Sequence, residues 1–203
     1  QAVVEAFPAG LDAMLVTNLS NVRYLTGFTG SSGVLLLERK KSLFFTDFRY
    51  QEQSENEVGR SAEIVVFKTS SSEAVLEYLG KSRVASLGVE STMTLGTYEI
   101  FREKFNGKLI TTKGIIEGVR QVKGEEELKE LRKAFSISDR SFKKLLRFIK
   151  PGKRETEIAA RLEYIMRMEG SEGPSFATII ASGERSSCPH AHPTDRKIKA
   201  GEM

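Results

Sequence analysis

His190 and His192 are the only histidines of the chain, two residues apart in Pro189-His190-Ala191-His192-Pro193-Thr194-Asp195. In an extended segment, positions i and i+2 face the same way, so both imidazoles could approach one ligand. Together with Asp195 they could in principle hold zinc or manganese, for which imidazole and carboxylate are ordinary ligands. Two or three ligands without a further carboxylate or histidine make a poor site, however, and Pro193 disturbs the strand geometry Asp195 would need. A surface histidine in a loop is the plain alternative.

Other nucleophiles and loops carry less. Cys188 lies two residues before His190, but no third group completes a nucleophilic set, and no Gly-x-Ser-x-Gly elbow is present. Gly27-Phe28-Thr29-Gly30-Ser31-Ser32-Gly33 is glycine-rich enough to suggest a phosphate cradle. It lacks a Gly-Lys-Ser/Thr ending and leads into a strand, so it reads as a turn. Asp47 and Arg49 could pair with each other or reach a site. Phe176 stands in a β-rich run and alone reads as core.

The elements that must position these residues fall into two groups. Before about residue 112, short apolar runs alternate with helical patterns, which predicts an α/β domain. Ala13 to Val16, Ile64 to Phe67, Val84 to Val89 and Leu109-Ile110 read as strands. Val34 to Leu37 and Leu43 to Thr46 flank a short polar connection and read as an antiparallel hairpin. A helix opens at Ser71 and stops at Gly80, and another covers Thr94 to Phe105. The sum is a mixed sheet flanked by helices.

From Gly124 long helices take over. Leu128, Leu131, Phe135, Phe142, Leu145 and Ile149 form one apolar stripe ended by Pro151-Gly152, and Glu155 to Glu169 form a second helix stopped by Gly170. Gly173 to Asp195 reads as strand, turn, strand. The domain junction falls at 112 to 124.

Composition excludes several classes. No run approaches the ~20 apolar residues that span a bilayer, and no signal pattern opens the chain, so a cytoplasmic home is expected and no membrane partner. A single cysteine rules out an intrachain disulfide. The formal charge of +4 comes from Lys and Arg interleaved with Asp and Glu, without stacking aromatics, so no nucleic-acid surface is expected.

Several stretches carry a resemblance. Asn21-Val22-Arg23-Tyr24-Leu25-Thr26-Gly27-Phe28-Thr29-Gly30-Ser31, Thr46-Asp47-Phe48-Arg49-Tyr50, Gly118 to Leu128, Pro151 to Ala159, Gly173 to Gly183 and Pro189 to Asp195 resemble, in order and spacing, the Xaa-Pro metallopeptidases: prolidase (Xaa-Pro dipeptidase) and aminopeptidase P. The resemblance implies a creatinase/prolidase-like α/β domain over 1–118, then the first part of a pita-bread (α+β) metallopeptidase domain over 119–203. It implies hydrolysis of Xaa-Pro bonds in proline-containing peptides by a homodimer that uses two divalent metals (Mn, Co or Zn). His190 matches a family histidine beside the metals that binds substrate and stabilises charge at the scissile carbonyl. His192 has a weaker counterpart, and Phe176 matches a position near the substrate pocket.

The family's metal ligands, two aspartates, a histidine and two glutamates, come later than Met203, so no metal ligand is assigned to this chain. Gln1 in place of Met suggests residues upstream as well. The chain is therefore expected to be a truncated piece, inactive alone, with apolar surface exposed around Phe142, Leu145, Ile179 and Ile180, leading to self-association or a partner chain. The rival is a noncatalytic peptide- or protein-binding module, a use made of the same fold in a histone-chaperone subunit. A creatinase-type amidinohydrolase is a third possibility.

Overall fold

The computed structural model describes residues 2–202; Gln1 and Met203, on which the expectations about the chain's ends rest, lie outside the described residues. In chain order the elements are α1 (Ala2–Glu5), β1 (Ala13–Val16), α2 (Leu19–Thr26), β2 (Val34–Glu38), β3 (Ser42–Asp47), a 3-10 turn (Phe48–Tyr50) and α3 (Gln51–Glu57). Next come β4 (Glu63–Phe67), α4 (Ser71–Lys81), β5 (Ser86–Glu90), α5 (Leu95–Lys104), β6 (Lys108–Thr112), α6 (Ile115–Gln121), α7 (Glu125–Leu145), α8 (Glu155–Met168) and a second 3-10 turn, Gly183–Ser187. The chain divides into two compact units, Gln1–Val122 and Lys123–Met203. No described helix is long and apolar enough to cross a membrane.

The first unit is built on one six-stranded sheet of order β4-β3-β2-β1-β5-β6. The β1–β2 and β2–β3 pairs are antiparallel, and β3–β4, β1–β5 and β5–β6 are parallel, so the sheet is mixed. Alternate residues of each strand feed opposite cores. Met14, Val16, Leu35, Leu37 and Phe44 pack with Val22 of α2 and Ile116 of α6 on one face. Ala13, Leu15, Leu36, Leu43, Phe45, Leu87 and Val89 pack with Val75 and Leu79 of α4 and Phe101 of α5 on the other. Burial on both faces explains why these strands read as unbroken apolar runs.

The glycine run is a turn held by packing. Gly27 (φ +82°) caps α2 in the left-handed region, its N–H donating to the Arg23 carbonyl. Phe28 packs on Phe44 and Tyr50 at ring-centroid distances of 4.7 and 5.6 Å. A Cβ on Gly30 would fall 2.3 Å from the Phe28 ring, and one on Gly33 2.6 Å from Phe44, so the rings occupy the space that side chains would need.

A polar clasp joins α2, β5 and α6. Buried Glu90 accepts from the backbone N–H of Thr17 (2.6 Å) and Asn18 (2.7 Å) and from Asn21 Nδ2 (2.7 Å). Asn21 Nδ2 also donates to Glu117 (2.7 Å), and its Oδ1 accepts from Arg120 (2.7 Å). Every polar atom of the Asn21 side chain is thus used at a fully buried position.

Three expectations require correction. Gly80 does not stop α4, which runs on to Lys81, where Ser82 turns the chain into extended backbone. The buried face of α7 is Ile137, Ser141 and Leu145, while Leu131, Phe135 (68% exposed) and Phe142 (55% exposed) stand outside. At ~100° per residue the two stripes lie roughly a quarter turn apart. Leu145 packs with Ile158 and Ile165 of α8 and is only 2% exposed, so among the four residues expected at an apolar surface it is the buried one. Finally, α7 ends at Leu145, several residues before Pro151-Gly152.

Candidate functional site

The histidine segment hangs from the N-terminus of α8. Two N–H groups that an α-helix leaves unpaired are used here: Glu155 N donates to the Arg196 carbonyl (3.0 Å) and Thr156 N to the Thr194 carbonyl (3.1 Å). Gly152 N donates to the Ile198 carbonyl (2.8 Å) and Ile198 N to the Lys153 carbonyl (2.9 Å), next to an isolated antiparallel bridge, Arg154↔Lys197. At its other end α8 closes on Gly170 in a Schellman turn, with Gly170 N bonded to the Arg167 carbonyl and Ser171 N to that of Met166.

The Glu155 side chain is fully buried and accepts from both arms of the segment. One carboxylate oxygen takes Ser182 N and Oγ, both at 2.9 Å; the other takes Thr194 N at 3.0 Å and Oγ1 at 2.7 Å. Arg185 Nε lies 3.3 Å from the same carboxylate, close enough for charge attraction, and its Nη2 donates to the His192 carbonyl at 2.7 Å. Burial works against the charged form of Glu155, but these donors outweigh it and hold its carboxyl down at about 2. Beside it, Arg196 donates to Ser182 Oγ (2.7 Å) and forks onto Glu202 (2.6 and 2.9 Å), lowering the Glu202 carboxyl to about 2.

Gly173 to Asp195 contains no strand, correcting the strand-turn-strand expectation. The segment's bonds go to a side chain and a helix end, and a β-rich composition without a partner ladder makes no strand. His190 and His192 both line one open groove with Arg185, Ser187, Cys188, Pro189, Ala191 and Thr194. Both histidines are exposed. Phe176 is 69% exposed and is not among the residues that line this groove. Asp195 faces Arg154 (3.6 Å) and Thr156 (3.4 Å).

The donors present do not fit a dinuclear metal centre. Among the described residues no group of three or more His, Cys, Asp or Glu side chains is placed to hold an ion, and the best-placed buried carboxylate, Glu155, has its oxygens committed to hydrogen bonds. In the first unit, Arg49 forks onto Asp47 at 2.8 and 2.9 Å, a local pair that holds the Asp47 carboxyl well below its usual range. Glu155 is the residue that sequence reasoning passed over. Its only local signal is an acid in the first helical turn; its partners lie 27 and 39 residues away.

Comparison with known proteins gives this arrangement a family. Residues 7–122 match the creatinase/prolidase N-terminal domain, and residues 129–203 match metallopeptidase family M24. An Xaa-Pro dipeptidase of Pyrococcus horikoshii is 33% identical over 95% of this chain and 54% of its own length, and a peptidase of Bacillus subtilis is 38% identical over 96% and 55%. Among solved structures, an Xaa-Pro dipeptidase from Bacillus anthracis superposes with a TM-score of 0.90 and 36% identity, covering 99% of this chain and 56% of that one. The chain spans about half the length of the curated relatives it matches. With a creatinase/prolidase N-terminal domain followed by part of an M24 domain, the chain belongs to the Xaa-Pro metallopeptidase family.

Proposed function

We propose that these residues form the substrate-facing front portion of a proline-specific metallopeptidase of the Xaa-Pro dipeptidase or aminopeptidase P type, with the domain junction within 112 to 124. The observation that carries this reading is the groove on which His190 and His192 converge, held by a buried carboxylate. His190 donates a hydrogen bond to the scissile carbonyl or to the substrate carboxylate as negative charge grows there. His192 and Phe176 make further substrate contacts. The two divalent metals, Mn, Co or Zn, are held by residues other than those of this chain, which alone is inactive. The complete enzyme is a cytoplasmic homodimer that uses neither nucleic acid nor membrane as partner.

The test is proline release from an Xaa-Pro dipeptide by the full-length protein with Mn²⁺, Co²⁺ or Zn²⁺ added in turn. The expected result is metal-stimulated hydrolysis that falls by about 10²–10³-fold in His190→Ala, the range seen on removing one oxyanion donor. Peptide binding with no hydrolysis under any metal would favour the noncatalytic module.

A further inference from the structure

The imidazoles of His190 and His192 make no hydrogen bond to any described residue, so their direction is set by the backbone that carries them. That backbone leaves Ser182, runs through the 3-10 turn Gly183–Ser187, and returns at Thr194. Both ends of the excursion bind the two oxygens of one carboxylate, through four hydrogen bonds between 2.7 and 3.0 Å. The bond from Arg185 to the His192 carbonyl braces the loop across its middle, and Arg185 itself leans on the same carboxylate. A carboxylate offers about four acceptor positions and no donor, which matches this set of donors. An amide would turn an NH₂ group toward the donors of one arm.

We propose that Glu155 is the positioning residue for His190: by closing the loop at both ends it fixes where the imidazole meets the substrate. The proposal rests on the assignment of His190 as the substrate-facing donor. Glu155 never touches the peptide. It sits at the first turn of α8, where the helix dipole favours its charge, and its depressed carboxyl keeps it ionised throughout the neutral range.

The experiment is a double-mutant cycle on the full-length, Mn²⁺-loaded protein, with Glu155→Gln, His190→Ala and both together. Glu155→Gln is expected to lower kcat on an Xaa-Pro dipeptide by about 10²-fold, the cost of roughly an ångström of misplacement, with a much smaller change in KM. In the His190→Ala background the same substitution should lower kcat no further. Amide exchange at Ser182 and Thr194 should quicken while Ile165, in the core between α7 and α8, stays protected. An equal fall in both backgrounds, or no fall where His190→Ala is crippling, overturns the positioning role and leaves His190 standing. An unchanged kcat in His190→Ala overturns the assignment of His190, and the positioning role with it. Should Glu155→Gln fail to fold, Thr194→Val removes one hydroxyl anchor and carries the same cycle, with a smaller fall expected.

Discussion

Glu155 shows how a single buried charge organises a segment with little regular structure of its own. Its carboxyl drops from the ordinary 4.5 to about 2, as does that of Glu202 on Arg196. A carboxyl lowered by folding contributes stability that is whole above the unfolded value and is lost as pH falls through the folded one. The unit containing α7 and α8 should therefore lose stability between pH 4.5 and 2. Urea unfolding across that window should show the slope, and Glu155→Gln should flatten part of it. Little of this could be read from the sequence, because Ser182 and Thr194 reach Glu155 only through the tertiary fold. His190 and His192 stood out in the sequence as a pair at i, i+2 beside prolines, and they line one groove, but the substrate-facing role proposed for His190 comes from the family resemblance and not from that spacing. Asp47 and Arg49 were legible as a pair, but only the fork geometry settles that they serve each other. The glycine run was legible as a turn, and the rings that demand Gly30 and Gly33 came into view only with Phe44 and Tyr50 beside them.

Among elements, the strands of the first unit were more readable than the long helix. A strand buried on both faces needs only a short apolar run, whereas a helix must also choose which side to bury. Helix α7 offers two apolar stripes, and the one through Ile137 and Leu145 is the buried one, with Leu145 packed against α8. Leu145→Ala should cost about 2–5 kcal/mol, while Phe135→Ser on the exposed side should change stability by less than about 0.5 kcal/mol; chemical denaturation of both variants checks the contrast. Helix α4 supplies a second test. Gly80 lies inside it with nothing within 4 Å of where a Cβ would stand. Gly80→Ala should stabilise the protein by about 0.5–1 kcal/mol, seen as a higher unfolding midpoint. The histidine segment was misread for the opposite reason: its β-rich run promised a ladder, and its bonds went to Glu155 and the end of α8.

At the scale of the whole molecule, the first unit holds a sheet with a core on each face and the Asn21 clasp, all within its own residues. Residues 1–122 expressed alone should therefore keep the six-stranded sheet and unfold in one cooperative step, measured by far-UV circular dichroism against denaturant. Fold class was visible in the alternation of apolar runs and helical patterns. Strand order was not, since nothing local announces that β1 lies between β2 and β5. That order matters while the protein is being made. In synthesis order β1 is an interior strand that waits for its second partner: β2 follows it almost at once to pair one side, but the other side waits for β5, and roughly 50 residues separate Glu38 from Glu90. At ~5–20 residues per second, the unpaired side of Ala13–Val16 stays open for roughly 3–10 s. For that interval the nascent chain carries a bare, apolar strand edge, the kind of surface that a ribosome-bound chaperone would have to shield.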